Sequence, residues 1–303
     1  MTEMPVVFAR AAFESREGTL CEGVSASGIP PLWFDKRPGK TPEDNESDLL
    51  LSCLEASEAY AAEGWGSAFG LHRAVTEPSR QRLTLRGMAP LAAGFGPALL
   101  EAACVDAACR VAATPFFQGL KNGLLGLAPE AAAALPDAPS AFIRLRHTVG
   151  LADALLASEV RNPLRDGLPE SLEDVAKTYR PRFYKVKISG DAAESLARLR
   201  RIAEILDAAG EYGVTLDGNE QFPDMESFSA FLQGLREDPA LRPFLGRMLW
   251  IEQPVTRDAA LDPAAAAALK RVAAFKPVII DESDGEDDAL ERALALGYAG
   301  VSS

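Results

Sequence analysis

The sequence predicts an α/β protein with two regions. Short strand-like runs lie near the amino terminus, an Ala- and Pro-rich segment covers 128–140, and strands alternate regularly with helices after it. The chain has 303 residues, of which 48% are hydrophobic, which is enough for one large domain or two ordinary ones. We therefore predict an α+β domain at 1–138 and an α/β domain at 139–303.

Charge and composition narrow the choice of partners. The chain carries 31 Lys and Arg against 44 Asp and Glu, a net charge of -13, so we expect neither nucleic acid nor a membrane surface as a partner. No basic leader precedes a long apolar stretch, which favours a cytoplasmic protein. The four cysteines form no CxxC pair, which argues against a zinc site or a disulfide framework.

The amino-terminal region predicts a small antiparallel sheet followed by helices. Strand-like runs cover 6–13 and 19–26, a polar connector covers 36–46, and helical patterns cover 48–63 and 97–112. The first of these helices is predicted to end at Gly64.

The second region repeats a strand and a helix about every 30 residues. The predicted strands are 141–146, 183–188, 214–216, 248–251, 278–280 and 299–301, and the helices are 191–209, 223–237, 263–275 and 286–296. Such a repeat gives parallel strands, in either a doubly wound sheet or a (βα)8 barrel. No glycine-rich phosphate loop follows any strand, which disfavours a flavin- or nucleotide-dependent enzyme.

Charged residues end four successive strands of this region. They are Lys185 and Lys187, then Asp217, then Glu252, then Asp281. In a parallel barrel these positions open at one face, where three carboxylates would repel one another unless a cation lay between them. Oxygen ligands from separate strands suit Mg2+.

The two lysines lie two residues apart in one strand, so both point to the same face. Two neighbouring ammonium groups lower each other's pKa, and burial lowers it further. Such a lysine can act as a general base.

The motifs KVK, LDGN, IEQP and IIDES follow one another over 185–282, and this series resembles the enolase superfamily. The resemblance is to the mandelate racemase/muconate lactonizing enzyme family, in its dual-lysine, muconate cycloisomerase-like branch. It implies an enolase-type (β/α) barrel, with the first region as an α+β capping domain.

The resemblance also implies a reaction, namely abstraction of the proton α to a carboxylate with Mg2+ stabilising the enediolate. Mn2+ is a possible substitute for Mg2+, and the substrate is a small carboxylate, as in racemases, epimerases, cycloisomerases and dehydratases. The implied metal ligands are Asp217, Glu252 and Asp281, with Asn219 and Glu282 supporting them. Lys187 is the implied base, assisted by Lys185.

The chain departs from that family at its carboxyl end. The run GYAGVSS resembles the approach to a second lysine on the sixth strand, but the sequence stops at Ser303. The barrel is therefore expected to be truncated after six strands, either as a piece of a longer protein or as a natural fragment that is inactive or completed by another chain. A homo-oligomer is also possible. The alternative function is a non-catalytic protein that binds a metal or a carboxylate without turnover.

Four further residues are candidates to contact the substrate. His147 and Thr148 lie at the predicted end of the first barrel strand, although a structural role for His147 is the alternative. Ser25 and Trp33 fall in 25–34, which resembles the loop that closes over the substrate in this family. A Pro-rich turn that packs Trp33 into the core is the alternative.

Overall fold

The computed structural model describes residues 4–30, 32–286 and 288–302. Pro31 in the predicted loop 25–34 and Asp287 in the predicted helix 286–296 lie outside the described residues. The chain divides into two compact units, Met1–Ala141 and Phe142–Ser303.

The first unit consists of a two-stranded sheet and five helices in its described part. Its elements are β1 (Val6–Glu14), β2 (Leu20–Gly28), α1 (Pro42–Glu63), α2 (Ala68–Leu85), α3 (Pro90–Val111), α4 (Phe116–Lys121) and α5 (Pro129–Ala134). The strands pair antiparallel, as predicted. Helix α2 was not predicted.

Helix α1 begins earlier than the predicted start at residue 48. The Thr41 hydroxyl accepts from the Asp44 amide at 3.1 Å, and the Asp44 carboxylate accepts from the Thr41 amide at 3.0 Å. This reciprocal cap, with Pro42 at the first helical position, starts the helix inside the polar connector.

Helix α3 is the central element of the first unit and packs against both strands and against α1 and α2. It begins at Pro90 and continues through Pro97, where the prediction had it begin. Proline lacks an amide to donate to the Ala93 carbonyl, and the Ser52 hydroxyl of α1 donates to that carbonyl instead, at 2.9 Å. A Cβ at Gly96 would overlap the Ser52 carbonyl, so glycine permits this close approach of the helices.

By length and composition, α3 is also apolar enough to cross a membrane. However, 61% of its most apolar 18-residue stretch is buried inside the first unit. A core helix meets the same criterion.

The second unit alternates strands with helices. Its elements are β3 (Arg146–Val149), α6 (Leu172–Thr178), β4 (Phe183–Lys187), α7 (Ala192–Ala209), β5 (Gly213–Asp217), α8 (Met225–Glu237), α9 (Arg242–Gly246), β6 (Met248–Glu252), α10 (Arg257–Ala260), α11 (Ala266–Ala273), β7 (Val278–Ile280), α12 (Ala289–Leu296) and β8 (Gly300–Val301). A core of apolar strand and helix side chains fills the space between the sheet and its helices.

The sheet has the strand order of a barrel. Its six parallel strands are ordered β3-β4-β5-β6-β7-β8, so each strand lies beside the next one in the sequence. A doubly wound sheet would reverse its order at a switch point, and this one does not. Within 142–302 as described, β3 and β8 form the two edges, so the predicted barrel is open.

The first barrel strand lies later than predicted. The segment 141–146 was expected to form it, but pairing with β4 begins only at Arg146. The preceding apolar side chains Phe142, Ile143 and Leu145 are 74%, 84% and 81% exposed. Their composition imitates a strand, but they have no ladder partner among the described residues.

Candidate metal and proton-transfer site

Strand register aligns the predicted site residues at the carboxyl ends of β4, β5 and β6. Lys187 pairs with Asp217, and Asp217 pairs with Glu252. Residues that are paired in a parallel sheet point to the same face. Asp217 and Glu252 are fully buried there.

Lys185 is the central cation of the cluster. Its Nζ lies 3.0 Å from Asp217 Oδ2 and 3.9 Å from Asp281 Oδ2, and it donates to Glu252 Oε1. The three predicted metal ligands, which come from three successive strands, therefore share one ammonium group.

Lys187 lies beside the same cluster but is held less closely. Its Nζ donates to Asn219 Oδ1 at 3.3 Å and lies 4.0 Å from Asp217 Oδ2. Asn219 in turn donates through its side chain to Glu282 and through its backbone amide to Asp217 Oδ1, at 2.8 Å. Of the two predicted supporting residues, Asn219 thus contacts Lys187 and the predicted ligand Asp217, and Glu282 contacts Asn219.

The charges in the cluster shift the pKa values of Asp281 and Glu252. Burial, together with the carboxylates of Glu282 and Glu252, raises the pKa of Asp281 to about 7. Burial opposes ionisation of Glu252 as well, but Lys185 and Arg146 hold its pKa below the usual range. Of these two carboxyl groups, Asp281 therefore ionises less readily.

The prediction that the neighbouring lysine lowers the pKa is wrong for Lys185. Burial lowers the pKa of Lys185, but Asp217 and Glu252 outweigh burial and raise it. The sequence argument considered the neighbouring lysine and burial, whereas carboxylates from β5 and β6 also contact the Lys185 ammonium group. Lys185 is accordingly held as an ammonium ion.

Sequence reasoning missed Arg146 and Thr215. Arg146 donates to Thr215 Oγ1 at 2.9 Å and to Glu252 Oε2 at 3.3 Å, so it binds the carboxylate oxygen that Lys185 does not. The alternation of β3 was the available signal, since Arg146 lies two residues before Thr148. The predicted strand began and ended too early, so the face that Arg146 shares with Thr148 was not recognised.

The structure does not bring His147 to the cluster. His147 pairs with Tyr184, which points into the helix layer, and the two rings meet edge to face at 6.1 Å. Burial lowers the pKa of His147. Thr148 pairs with Lys185 and so lies on the same face as the cluster, where it is exposed.

Ser25 and Trp33 belong to the first unit and have packing contacts there. Ser25 lies within β2 rather than in a loop, and its hydroxyl donates to the Leu99 carbonyl of α3 at 2.6 Å. Trp33 packs edge to face on Phe34 at 4.8 Å.

The donor set suits a hard cation in its chemistry. Asp217 Oδ2 is buried, and among the described residues its partners are the ammonium groups of Lys185 at 3.0 Å and Lys187 at 4.0 Å, with no hydrogen bond of regular geometry. Glu252 and Asp281 supply further carboxylate oxygens at the ends of the next two strands. In the present side-chain positions, no group of three Asp, Glu, His or Cys residues within the described ranges is close enough to hold an ion. Lys185 supplies the positive charge that the three carboxylates share.

Neither a family model nor a curated protein matches this sequence. Solved structures do match its fold. A mandelate racemase/muconate lactonizing enzyme from Bordetella bronchiseptica RB50 aligns with a TM-score of 0.59 and 18% identity, over 97% of this chain and 68% of that one.

Two further structures are similar to a comparable extent. A racemase from Streptomyces coelicolor A3(2) with bound magnesium has a TM-score of 0.56 and 15% identity, over 96% of this chain and 66% of that one. A dipeptide epimerase from Enterococcus faecalis V583 has a TM-score of 0.55 and 15% identity, over 96% and 70%. These likenesses confirm the predicted fold class: the chain has the α/β fold of the mandelate racemase/muconate lactonizing enzymes.

Proposed function

We propose that the protein abstracts the proton α to a carboxylate in a reaction that depends on Mg2+. One observation carries the proposal: carboxylates from three successive strand ends surround a lysine whose strand supplies a second lysine at the same face. The fold shared with a racemase and a dipeptide epimerase supports a reaction of the racemase, epimerase, cycloisomerase or dehydratase type.

The residues that would hold the cation are Asp217, Glu252 and Asp281. Among the similar structures, the Streptomyces coelicolor racemase contains magnesium, which supports Mg2+ here, with Mn2+ as a possible substitute. When bound, the cation supplies positive charge that offsets the negative charge developing on the substrate carboxylate.

The two lysines take different roles in this proposal. Lys185 lies among the three carboxylates, where its ammonium group would orient an anionic substrate. Lys187 has longer contacts with its neighbours, and its Nζ is the atom that would take the α-proton. Asn219 would hold the Lys187 amine in place.

A non-catalytic binding protein is the second candidate. The observation in its favour is that the Nζ of Lys187, the proposed base, already donates to Asn219 Oδ1 at 3.3 Å. Such a protein would bind the cation and a carboxylate ligand through the same residues and would exchange no proton.

Proton exchange distinguishes the two candidates. We would incubate the protein with Mg2+ and a library of chiral carboxylates in deuterium oxide and follow loss of the α-proton by NMR. Lys187→Met should lower the exchange rate by about 100-fold or more, the usual effect of losing a general base. Lys177→Met is the matched control, because Lys177 is exposed on α6 and paired with Glu173.

Exchange that survives Lys187→Met would overturn the assignment of the base. Cation binding without exchange of any carboxylate in the library would favour the non-catalytic candidate.

A further inference from the structure

Gln253 directly follows Glu252, is fully buried, and has no role in the site described so far. Its side-chain oxygen accepts from the backbone amides of Asp281 at 2.8 Å and Ser283 at 3.2 Å. Its side-chain nitrogen donates to the Val255 carbonyl at 2.9 Å and to Ser283 Oγ at 2.8 Å. The amide therefore uses its full capacity of two accepted and two donated hydrogen bonds.

These bonds extend the pairing of β6 and β7 past the end of the strands. The Gln253 amide donates to the Ile279 carbonyl at 2.9 Å, which continues the ladder. In a regular parallel ladder, the Asp281 amide would next donate to the main-chain carbonyl of Gln253. Here it donates to the side-chain oxygen of Gln253 instead.

The reason is the backbone conformation of Gln253. Its φ of 34° lies in the left-handed region, which a residue with a side chain adopts only when its surroundings hold it there. This conformation turns the Gln253 carbonyl away from β7 and towards β5. There it accepts from the amide of Glu220, which follows β5, at 3.1 Å. The main-chain carbonyl of Gln253 thus bonds to the segment after β5. The side-chain oxygen of Gln253 replaces that carbonyl as the acceptor for the segment after β7.

We propose that Gln253 is a positioning residue that fixes the Asp281–Ser283 backbone and thereby holds the Asp281 carboxylate beside those of Asp217 and Glu252. The inference rests on the proposed function, because the metal-binding role of Asp281 is part of that proposal. Gln253 acts through the backbone of Asp281 and touches neither the cation nor the substrate.

Only an amide of this length meets the requirement. Glutamate would keep the oxygen that Asp281 uses but lose both donated bonds, and asparagine is one methylene shorter. Methionine has nearly the same volume and removes all four bonds, which makes Gln253→Met the direct test.

We would compare the full-length wild type, Gln253→Met and Gln233→Met. Gln233 is an exposed glutamine on α8 whose side chain bonds to Glu237, so it serves as the control. Two quantities are measured: the dissociation constant for Mn2+ by electron paramagnetic resonance, and hydrogen exchange of the Asp281 and Ser283 amides.

We expect Gln253→Met to raise the Mn2+ dissociation constant on the order of tenfold, as is usual for residues that orient metal ligands. Exchange of the two amides should accelerate, and the control should match the wild type in both measurements. Unchanged Mn2+ affinity in a folded Gln253→Met protein overturns the inference.

Ser283→Ala is the second variant, in case Gln253→Met does not fold. It removes only the bond from the Gln253 nitrogen to the serine hydroxyl, and we expect about fivefold weaker Mn2+ binding. Unchanged affinity in Ser283→Ala would then overturn the inference.

The two proposals fail separately. If the wild type binds no Mn2+, the proposed function is wrong, and amide exchange alone decides the positioning role. Faster exchange of the Asp281 and Ser283 amides in a variant would support that role, and unchanged exchange would overturn it.

Discussion

Each unit contains an aspartate that charged side chains surround, fully buried in the first unit and partly buried in the second, and the two aspartates behave in opposite ways. In the first unit, Asp35 is 1% exposed and forms a two-pronged ion pair with Arg37, with N–O distances of 2.8 and 2.6 Å. In the second unit, Asp281 has Lys185 at 3.9 Å and the carboxylates of Glu282 and Glu252 nearby.

The pKa values of the two aspartates record this difference. Burial would raise the pKa of Asp35, but Arg37 and Lys40 outweigh it and lower the pKa. At Asp281, burial and the neighbouring carboxylates act together and raise the pKa to about 7. Both are at least partly buried, so the sign of the surrounding charge distinguishes the ion-paired Asp35 from Asp281, which we propose as a cation ligand.

Of the variants that test this difference between the two aspartates, Asp281→Asn should have the largest effect. We expect Mn2+ binding to weaken by about 100-fold or more, since even residues that only orient ligands cost about 10–100-fold. Without a cation, the same change removes a repelled charge, so the free energy of unfolding should rise on the order of 1 kcal/mol near pH 8. Calorimetric titration and urea denaturation in a chelator measure the two effects, and a less stable variant would contradict the account.

Asp35→Asn should give the reverse pattern. Loss of the charged hydrogen bonds to Arg37 should lower the free energy of unfolding by about 2 kcal/mol, while Mn2+ affinity stays the same. Urea denaturation with a parallel Mn2+ titration tests this prediction. Altered Mn2+ binding would show that the two carboxylates are not independent.

The pH dependence of stability should carry opposite contributions from the two aspartates. The folded pKa of Asp281 is raised, so its contribution is present below about pH 4 and is lost as the pH rises towards 7. The folded pKa of Asp35 is lowered, so its contribution is present above about pH 4 and is lost in more acidic solution. Urea denaturation in a chelator at about pH 5 and about pH 8 should show a smaller decrease for Asp281→Asn than for the wild type.

The smallest expected effect concerns Ser25. Ser25→Ala removes the hydrogen bond from β2 to the Leu99 carbonyl and should cost about 1 kcal/mol of stability. Ser27→Ala is the control, because the Ser27 hydroxyl bonds only to the carbonyl of the next residue among the contacts described. Thermal unfolding of both variants distinguishes them, and equal melting temperatures would contradict a role for Ser25 in joining β2 to α3.

Much of the second unit could be predicted from the sequence, because each of its inner strands is short and largely apolar and ends in, or directly before, a charged residue. Strands β4 to β7 lie within a residue of their predicted ends, and the spacing of Lys187, Asp217 and Glu252 by one strand–helix unit predicted that they would be adjacent. Periodicity was less informative in the first unit, where a polar cap begins α1 and a proline lies inside α3.

What escaped prediction depends on contacts between strands. The sequence predicted that Lys185, Asp217 and Glu252 open at one face, but not the short distances across the sheet that set the charge state of Lys185. Gln253 acts through a left-handed backbone that its sequence neighbours do not signal. Arg146 was placed at the end of a strand that it begins, so its inward direction was not recognised.

The proposed cation site lies at the carboxyl ends of β5, β6 and β7, and calorimetric titration with Mg2+ measures whether it binds the ion. The wild type and Glu226→Gln, which alters an exposed glutamate on α8, should both bind one Mg2+. Asp217→Asn and Glu252→Gln should bind none. Unchanged binding in either of these two variants, or no binding by the wild type, would contradict the account.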